Sequence, residues 1–228
     1  MHLPDGLLNN QINISLITVS LAFVGVAFKK VKDLLLEKTK VLAPQLMTNI
    51  GEISNQRIIN KLRFKKTARE KIQQMLIIFS LVFLVQMFDF IKINGLSGHL
   101  IGAALGALVL GPWLGMLAIS AVLIIQATFL ADGGIIALGA NIFNMAIVGC
   151  LSSYYLFYFV KKFLGNKYLA IAISSYFSLI LMALFYSFEL SVSVKANFDL
   201  VKVHALVGVF EIVFTPFALK FIFNNKKI

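Results

Sequence analysis

The sequence predicts an all-α polytopic membrane protein with about seven transmembrane helices in one bundle. Hydrophobic residues make up 59% of the 228 residues, whereas soluble domains are about 45–50% apolar. The apolar residues are gathered into stretches, and a helix needs about 20 of them to cross a bilayer. The basic residues lie between these stretches, mostly on one side. Residues 1–228 are therefore interpreted as a single transmembrane domain.

Seven apolar stretches are candidate spans. In chain order they cover residues 12–28, 74–92, 98–110, 112–130, 141–160, 168–188 and 203–223. The third is short and runs into the fourth through Gly111-Pro112, which predicts a tight helical hairpin because proline suits the first turn of a helix. In the third stretch, Gly98, Gly102 and Gly106 recur every four residues and would line one helix face with small side chains. Such a face serves either helix packing or the docking of a partner subunit.

The basic residues predict the topology. With seven spans, eighteen of the 21 Lys and Arg residues lie on one side, and only Lys92, Lys195 and Lys202 lie on the other. The basic side is cytoplasmic by the positive-inside rule, so the N-terminus is expected outside and the C-terminus in the cytoplasm. A net charge of +11 would suggest nucleic acid in a soluble protein. Here it marks topology, so we expect membrane lipid as the surroundings and no nucleic-acid partner.

The connection of residues 29–71 is a long basic cytoplasmic loop. It holds twelve of the Lys and Arg residues, and its part from 49 to 71 reads as polar, basic and partly helical. An amphipathic surface helix or a disordered segment would fit, and so would a loop that serves only as a topology signal. The residues before the first span carry no Lys or Arg, unlike the start of a cleaved signal peptide, so this span should stay attached.

Three histidines fall on the predicted extracytoplasmic half: His2, His99 and His204. The Met1 α-amine, the His2 amide nitrogen and the His2 ring nitrogen can all wrap one metal ion. Only ions that favour square-planar geometry, such as Ni(II) or Cu(II), are expected to displace the amide proton readily. His99 could fill the fourth position. The alternatives are a frayed terminus for His2 and a packing role for His99.

Asp132 lies in a D-G-G turn after the fourth span. Its carboxylate could accept a ring N–H and orient a metal-binding histidine, or it could be a solvated residue in a helix-terminating turn. Ser97 stands two residues before His99 and is a candidate for the surroundings of the same site.

Four further polar residues lie in or near the spans. Asn141 and Asn144 are about one turn apart and could cap a helix, complete the surroundings of the site, or bond another span. His204 and Glu211 are seven residues apart, hence on one helix face, and are predicted to be buried polar groups.

Three common enzyme motifs are missing from the sequence. It has no H-E-x-x-H, no G-x-S-x-G and no P-loop. Transport driven by ATP would therefore need an ATPase from another chain. Cys150 is the only cysteine, so neither a disulfide within the chain nor a multi-cysteine zinc site can form.

As an ordered set, several segments resemble the CbiM/NikM family, the substrate-binding components of energy-coupling-factor transporters for cobalt and nickel. The opening M-H-L-P-D-G resembles the family's M-H-I-P-D-G. The other matching segments are S-G-H-L at 97–100, G-P-W-L-G at 111–115, A-D-G-G at 131–134, L-G-A-N-I-F-N-M at 138–145, and 204–211 in the last span. The 29–71 loop departs from the family because it is longer and more basic.

The resemblance implies a metal site and a set of partners. The ligands would be the Met1 amine, the His2 amide and ring, and His99, with the N-terminal segment tucked into the bundle. The partners would be a transmembrane coupling protein, two ATP-binding subunits and a small accessory membrane protein, in the plasma (inner) membrane of a bacterium. Ni(II) or Co(II) would be the transported substrate, with no permanent cofactor. The planar nitrogen site and the P-D-G opening favour nickel over cobalt.

Two other functions stay open. A stand-alone secondary metal permease would need buried ion-coupling charges, for which the spans offer at most Asp89, Glu189 and Glu211. An intramembrane metalloenzyme would need a general base beside the metal and an open ligand position.

Overall fold

The computed structural model describes residues 2–42, 58–89, 91–93, 96–193 and 199–221. Its helices are α1 Asn10–Leu35, α2 Ala68–Gln86, α3 Ala103–Leu110, α4 Pro112–Phe129, α5 Leu138–Asn141, α6 Gly149–Leu164, α7 Lys167–Ser193 and α8 Asp199–Phe221. A π-helical segment, Ile142–Val148, joins α5 to α6 without a break. The described part of the chain therefore has seven continuous helices, as predicted.

Five of these helices are long and apolar enough to cross a membrane: α1, α4, the α5–α6 helix, α7 and α8. The other two differ for local reasons. α2 is long enough but carries Arg69, Glu70 and Lys71 in its first turn. α3 has only eight residues, which at 1.5 Å per residue give about 12 Å, too short for a bilayer core of about 30 Å. Many large apolar side chains on the outside of the bundle are exposed, among them Phe188 and Val213, as expected of a surface that faces lipid.

Several helix ends differ from the predicted spans. α1 continues to Leu35 rather than ending at 28, and α2 runs from Ala68 to Gln86 rather than from 74 to 92. Hydropathy marks the part of a helix that suits hydrocarbon. The helix itself continues into the polar interface, where charged side chains are solvated and cause little loss of stability. Its ends are set by capping interactions and by contacts with neighbouring elements.

The third predicted span was wrong over its first residues. β3 Ile91–Ile93 and β4 Leu96–Gly98 form a short antiparallel hairpin, and the helix begins only at Ala103. Gly102 has φ +71°, a left-handed conformation that precedes the helix and that glycine adopts most readily. The residues after β4 therefore enter the bundle as non-helical backbone.

Helices α3 and α4 form the predicted tight hairpin through Gly111 (φ +83°), with Pro112 at the first position of α4. All residues of α3 except Val109 are buried. A Cβ on Gly115 would lie 2.8 Å from the carbonyl carbon of Gly106, so these two glycines allow the backbones of the two helices to touch. The small residues of α3 thus serve packing within the bundle.

Residues 49–71, which we expected to be partly helical, are helical from Ala68 onward, but Ile58–Phe64 form a strand instead. β1 Leu36–Leu42 pairs with β2 Ile58–Phe64 as an antiparallel hairpin that continues directly from α1. Apolar residues face each other at one end, where Leu36 is opposite Phe64, and Glu37 lies opposite Arg63. Cross-strand pairs of these kinds stabilise a hairpin. Residues 43–57 lie outside the described part.

Candidate metal centre

The N-terminal segment lies inside one end of the bundle. Leu3 is buried, and its backbone is bonded on both sides. Its N–H donates to Oδ1 of Asn141 over 2.8 Å, and its carbonyl accepts from Nδ2 of Asn141 over 3.2 Å and from the Gly134 N–H over 2.9 Å. Tyr186 of α7 donates to the same Asn141 oxygen over 3.1 Å. Asn141 therefore connects the N-terminal segment to α5 and α7.

Asp5 fastens the same segment a few residues further on. Its carboxylate accepts three backbone N–H groups, from Ile135 over 3.2 Å, Ile136 over 2.8 Å and Ala137 over 2.9 Å. These residues directly precede α5, where unpaired N–H groups and the helix dipole favour a negative charge. Asp5 thus supplies a cap from a position more than a hundred residues away.

Gly133 and Gly134 make room for this arrangement. Gly133 has φ +93°, and a Cβ there would lie 2.8 Å from the Cβ of His2. A Cβ on Gly134 would collide with the backbone nitrogen and carboxylate of Asp5. The D-G-G turn therefore receives the N-terminal segment because two of its residues lack side chains.

Asp132 holds the ring of His2. The His2 Nδ1 lies 2.9 Å from Oδ1 of Asp132. The bond to His2 lowers the pKa of Asp132, and burial lowers the pKa of His2. The pair is thus a carboxylate that accepts from the Nδ1–H of a neutral imidazole, which leaves the lone pair on Nε2. This Nε2 is buried and has no hydrogen-bond partner among the described residues.

His99 has the same arrangement. Its Nδ1 lies 3.0 Å from the carbonyl oxygen of Leu100, and its Nε2 is also buried without a partner in the described part. The centroids of the His2 and His99 rings are 4.8 Å apart, with a tilt of 49°. Two imidazole lone pairs therefore belong to neighbouring rings, and buried polar atoms rarely lack a partner unless a ligand or water takes that place.

The backbone that carries His99 is supported by two polar side chains. Gln86 donates its Nε2–H to the carbonyl of Ile101 over 2.8 Å. Glu211 accepts the N–H groups of Ile101 over 2.7 Å and Gly102 over 2.8 Å, and takes the Thr215 hydroxyl on its other oxygen. Non-helical backbone at membrane depth is stable only where its polar groups are satisfied. Glu211 is buried, as predicted, and its partners are now identified.

The two histidines line one cavity of about 300 Å³. Its lining consists of His2, Gln86, Met87, Asp89, His99, Leu130 and Asp132. Two carboxylates and two neutral imidazoles suit a cation. Within the described residues no group of three or more His, Cys, Asp or Glu side chains could hold a metal ion. Further ligands would have to come from backbone nitrogen, another type of side chain or solvent.

The remaining candidates are placed as follows. Asn144 donates to both oxygens of Glu189, over 2.9 and 2.8 Å, so it bonds another helix rather than the site. His204 is buried in α8, its Nδ1 2.8 Å from the Leu200 carbonyl oxygen, and it does not line the cavity. Met1 and the side chain of Ser97 lie outside the described part.

Two residues of the site were not singled out from the sequence. Asp5 had a usable signal, because an Asp before Gly at a chain entry is a common acceptor of backbone N–H groups. Gln86 also had one, since a polar residue inside an apolar span, here 74–92, is a functional candidate.

Comparisons with known proteins agree with this architecture. Residues 56–227 match the CbiM family, described as the cobalt uptake substrate-specific transmembrane region. A cobalt transport protein CbiM of Thermosipho melanesiensis is 30% identical over 167 residues, which cover 71% of this chain and 70% of that protein. A crystal structure described as a truncated transition metal transporter superposes with a TM-score of 0.78 at 25% identity, covering both chains completely.

A third relative, from Archaeoglobus fulgidus, has a name that describes a fused nickel transport protein. It is 38% identical over 143 residues, 59% of this chain. The match spans only 48% of that relative's length. With the family match over most of the chain and the membrane-spanning helices, the conclusion is that this protein belongs to the CbiM/NikM family of cobalt and nickel transport proteins.

Proposed function

We propose that this chain is the substrate-capture subunit of an ATP-driven energy-coupling-factor importer for nickel or cobalt ions, with nickel preferred. The observation that carries the proposal is the pair of buried Nε2 atoms of His2 and His99, which have no partner among the described residues and belong to rings 4.8 Å apart. Their cavity also holds two carboxylates. Such a site attracts a divalent ion and offers it nitrogen ligands.

The proposed ligands are the Met1 amine, the amide and ring nitrogens of His2, and a ring nitrogen of His99. A chelate through the His2 amide uses Nδ1 of the same ring, because only Nδ1 closes a six-membered ring with that amide. Nδ1 is bonded to Asp132 here. Capture in this mode would therefore reorient the His2 ring: the ion would take the Nδ1 lone pair, the ring proton would move to Nε2, and the Asp132 carboxylate would accept it there. The protons of the amine and the amide would be released to solvent.

The buried carboxylates support a capture subunit over a stand-alone permease. A permease driven by coupling ions would use buried charges that are free to bind and release those ions. Glu211 is engaged by two backbone N–H groups and Thr215, and Glu189 by Asn144. Both carboxylates therefore have structural partners in the part of the chain that is described.

The energy for transport is proposed to come from partner subunits. These are a transmembrane coupling protein, two ATP-binding subunits and a small accessory membrane protein, since the sequence has no P-loop. The distribution of Lys and Arg supports an extracytoplasmic N-terminus and a cytoplasmic C-terminus in a bacterial plasma membrane. The cavity would then open toward the outside, where the ion is captured.

The test is titration of the purified protein, with its natural N-terminus, with Ni(II), Co(II), Cu(II) and Zn(II). We expect one Ni(II) per chain, bound more tightly than Co(II). A variant with one residue added before Met1 should lose this binding because the amine moves away from His2. His99→Ala should lose it as well, by more than the roughly 10–100-fold that is typical of residues that only orient a ligand.

A thermal melt of each variant serves as the control for folding. His204→Ala is the matched histidine control, because His204 is also buried but does not line the cavity. Unchanged affinity in the N-terminally extended protein would refute the terminal chelate. Unchanged affinity in His99→Ala would return His99 to a packing role, and a wild-type protein that binds none of the four ions would refute the proposed function.

A further inference from the structure

Like His2 and His99, Gln86 lines the cavity and has a buried polar atom without a hydrogen-bond partner in the described part of the chain. It is the last residue of α2 and only 2% exposed. Its Nε2 donates to the carbonyl of Ile101 over 2.8 Å, which identifies the other amide atom as the oxygen. That oxygen, Oε1, has no hydrogen-bond partner among the described residues, and Gln86 lines the same cavity as His2 and His99.

An amide oxygen in this position has only an acceptor's chemistry. It can bind a cation or accept a hydrogen bond, and burying it without a partner is unfavourable. The Nε2 anchor on Ile101 prevents the amide from turning over to present its N–H groups instead. The amide oxygen of Gln86 therefore points away from the Ile101 carbonyl, in a residue that lines the same cavity as the two imidazoles.

We propose that Gln86 is a further ligand of the captured ion and determines how strictly the site discriminates nickel from cobalt. The inference rests on the proposed function, because it assigns Gln86 to the ion that the histidines would hold. The amide oxygen would bind the ion from outside the plane of the nitrogen ligands. Its bond to Ile101, next to Leu100 and His99, couples this ligand to the segment that positions His99.

The expected effect on selectivity follows from ligand geometry. Four nitrogen atoms in a plane suit Ni(II), which is stable with only these ligands. Co(II) gains more from an additional oxygen donor because it favours higher coordination numbers. The Gln86 oxygen should therefore raise the affinity for Co(II) more than the affinity for Ni(II), so that a site rich in nitrogen still accepts cobalt.

The experiment measures Ni(II) and Co(II) affinities, and the visible spectrum of the Co(II)-loaded protein, for wild type, Gln86→Leu and Gln86→Glu. Gln86→Leu should weaken Co(II) about tenfold or more relative to Ni(II), within the range for groups next to a metal, and should change the Co(II) spectrum. Gln86→Glu keeps an oxygen donor and should keep Co(II) binding. Gln126→Leu is the matched control, since Gln126 is buried in α4 and does not line the cavity.

A structural role for Gln86 predicts a different result. Loss of the Ile101 anchor alone would weaken both ions by the same factor in Gln86→Leu and Gln86→Glu, with no change in the ratio of affinities. That outcome, or a Co(II) spectrum that matches wild type in Gln86→Leu, would overturn the inference while leaving the proposed function standing. A wild-type protein that binds neither ion would instead overturn the proposed function.

Discussion

At the scale of single residues, the centre depends on hydrogen bonds that direct ring nitrogens. Asp132 takes the Nδ1–H of His2, and the Leu100 carbonyl takes that of His99. Without a bound ion, each acceptor decides which nitrogen keeps its lone pair, so both rings have a buried Nε2 without a partner among the described residues. Partners of this kind orient histidines and raise their basicity toward a metal. The direction of the imidazole lone pairs in the candidate site is thus set by residues other than the two histidines.

Asp132→Ala should weaken ion binding by roughly 10–100-fold, the range typical of a residue that orients a ligand. The ring of His2 would lose its partner and sample more orientations, but the nitrogen ligands would remain. Equilibrium titration with Ni(II) measures the effect. Asp199→Ala is the control, because Asp199 pairs with Lys202 at the start of α8 and does not line the cavity. Equal affinities for the two variants would leave Asp132 as a turn residue without influence on the site.

At the scale of elements, the N-terminal segment and the turn before α5 act as one unit. Leu3 is bonded to Asn141 and Gly134, and Asp5 caps residues 135–137. Opposite this unit, Gln86 and Glu211 support the non-helical residues after β4. His2 and His99 therefore come from two irregular segments, each held by side chains of the surrounding helices.

Gly134→Ala should displace the N-terminal segment, because the new Cβ would occupy the place of Asp5. We expect a loss of Ni(II) affinity of about tenfold or more, of the size seen when a group supporting a metal site is removed. The bundle itself should melt nearly as in wild type, because the helices are untouched. Gly25→Ala is the matched control, since a Cβ at Gly25 in α1 would meet nothing within 4 Å. Wild-type affinity in Gly134→Ala would show that the segment does not need this close contact.

At the scale of the whole molecule, the bundle encloses the parts of the chain that would be unstable in contact with hydrocarbon. The short helix α3 and the non-helical backbone before it cannot face hydrocarbon alone. They lie against α2, α4 and α8, where glycines permit close approach and Gln86 and Glu211 satisfy the backbone. Long apolar helices form the outer surface of the bundle. This division allows a polar cavity to form at one end of a protein that is otherwise suited to lipid.

The predicted topology can be tested with single cysteines in a Cys150→Ala background. Ser191 is exposed near the end of α7, where Ser193 accepts the Asn9 N–H and so marks the side of the N-terminal segment. Asn166 is exposed between α6 and α7. In intact cells, a membrane-impermeant maleimide should label Ser191→Cys but not Asn166→Cys, whereas both should react after lysis. The reverse pattern would place the N-terminus in the cytoplasm and contradict capture from outside. The parent with Cys150 alone should stay unlabelled because that thiol is buried.

Much of the fold could be predicted from local pattern. Apolar stretches predicted the helices because each segment that crosses hydrocarbon must avoid charged residues, whatever the other segments contain. The Gly111-Pro112 junction predicted the hairpin of α3 and α4 because proline suits the first turn of a helix. The ends of α1 and α2, the β1–β2 hairpin and the late start of α3 could not be predicted in this way, because they depend on strand pairing and on side chains from other helices.

For the candidate site, too, some features could be predicted from the residues and others only from the fold. The sequence alone pointed to His2, His99 and Asp132, since imidazole and carboxylate chemistry is a property of the residue. Only the tertiary structure decided that Asp5 caps the turn before α5 and that Asn141 holds Leu3 while Asn144 pairs with Glu189. It also decided that Gln86 lines the cavity with an amide oxygen that has no partner among the described residues. Each of these contacts joins residues far apart in the chain. Which residues meet in these contacts depends on how the helices pack, and a local sequence pattern does not contain that information.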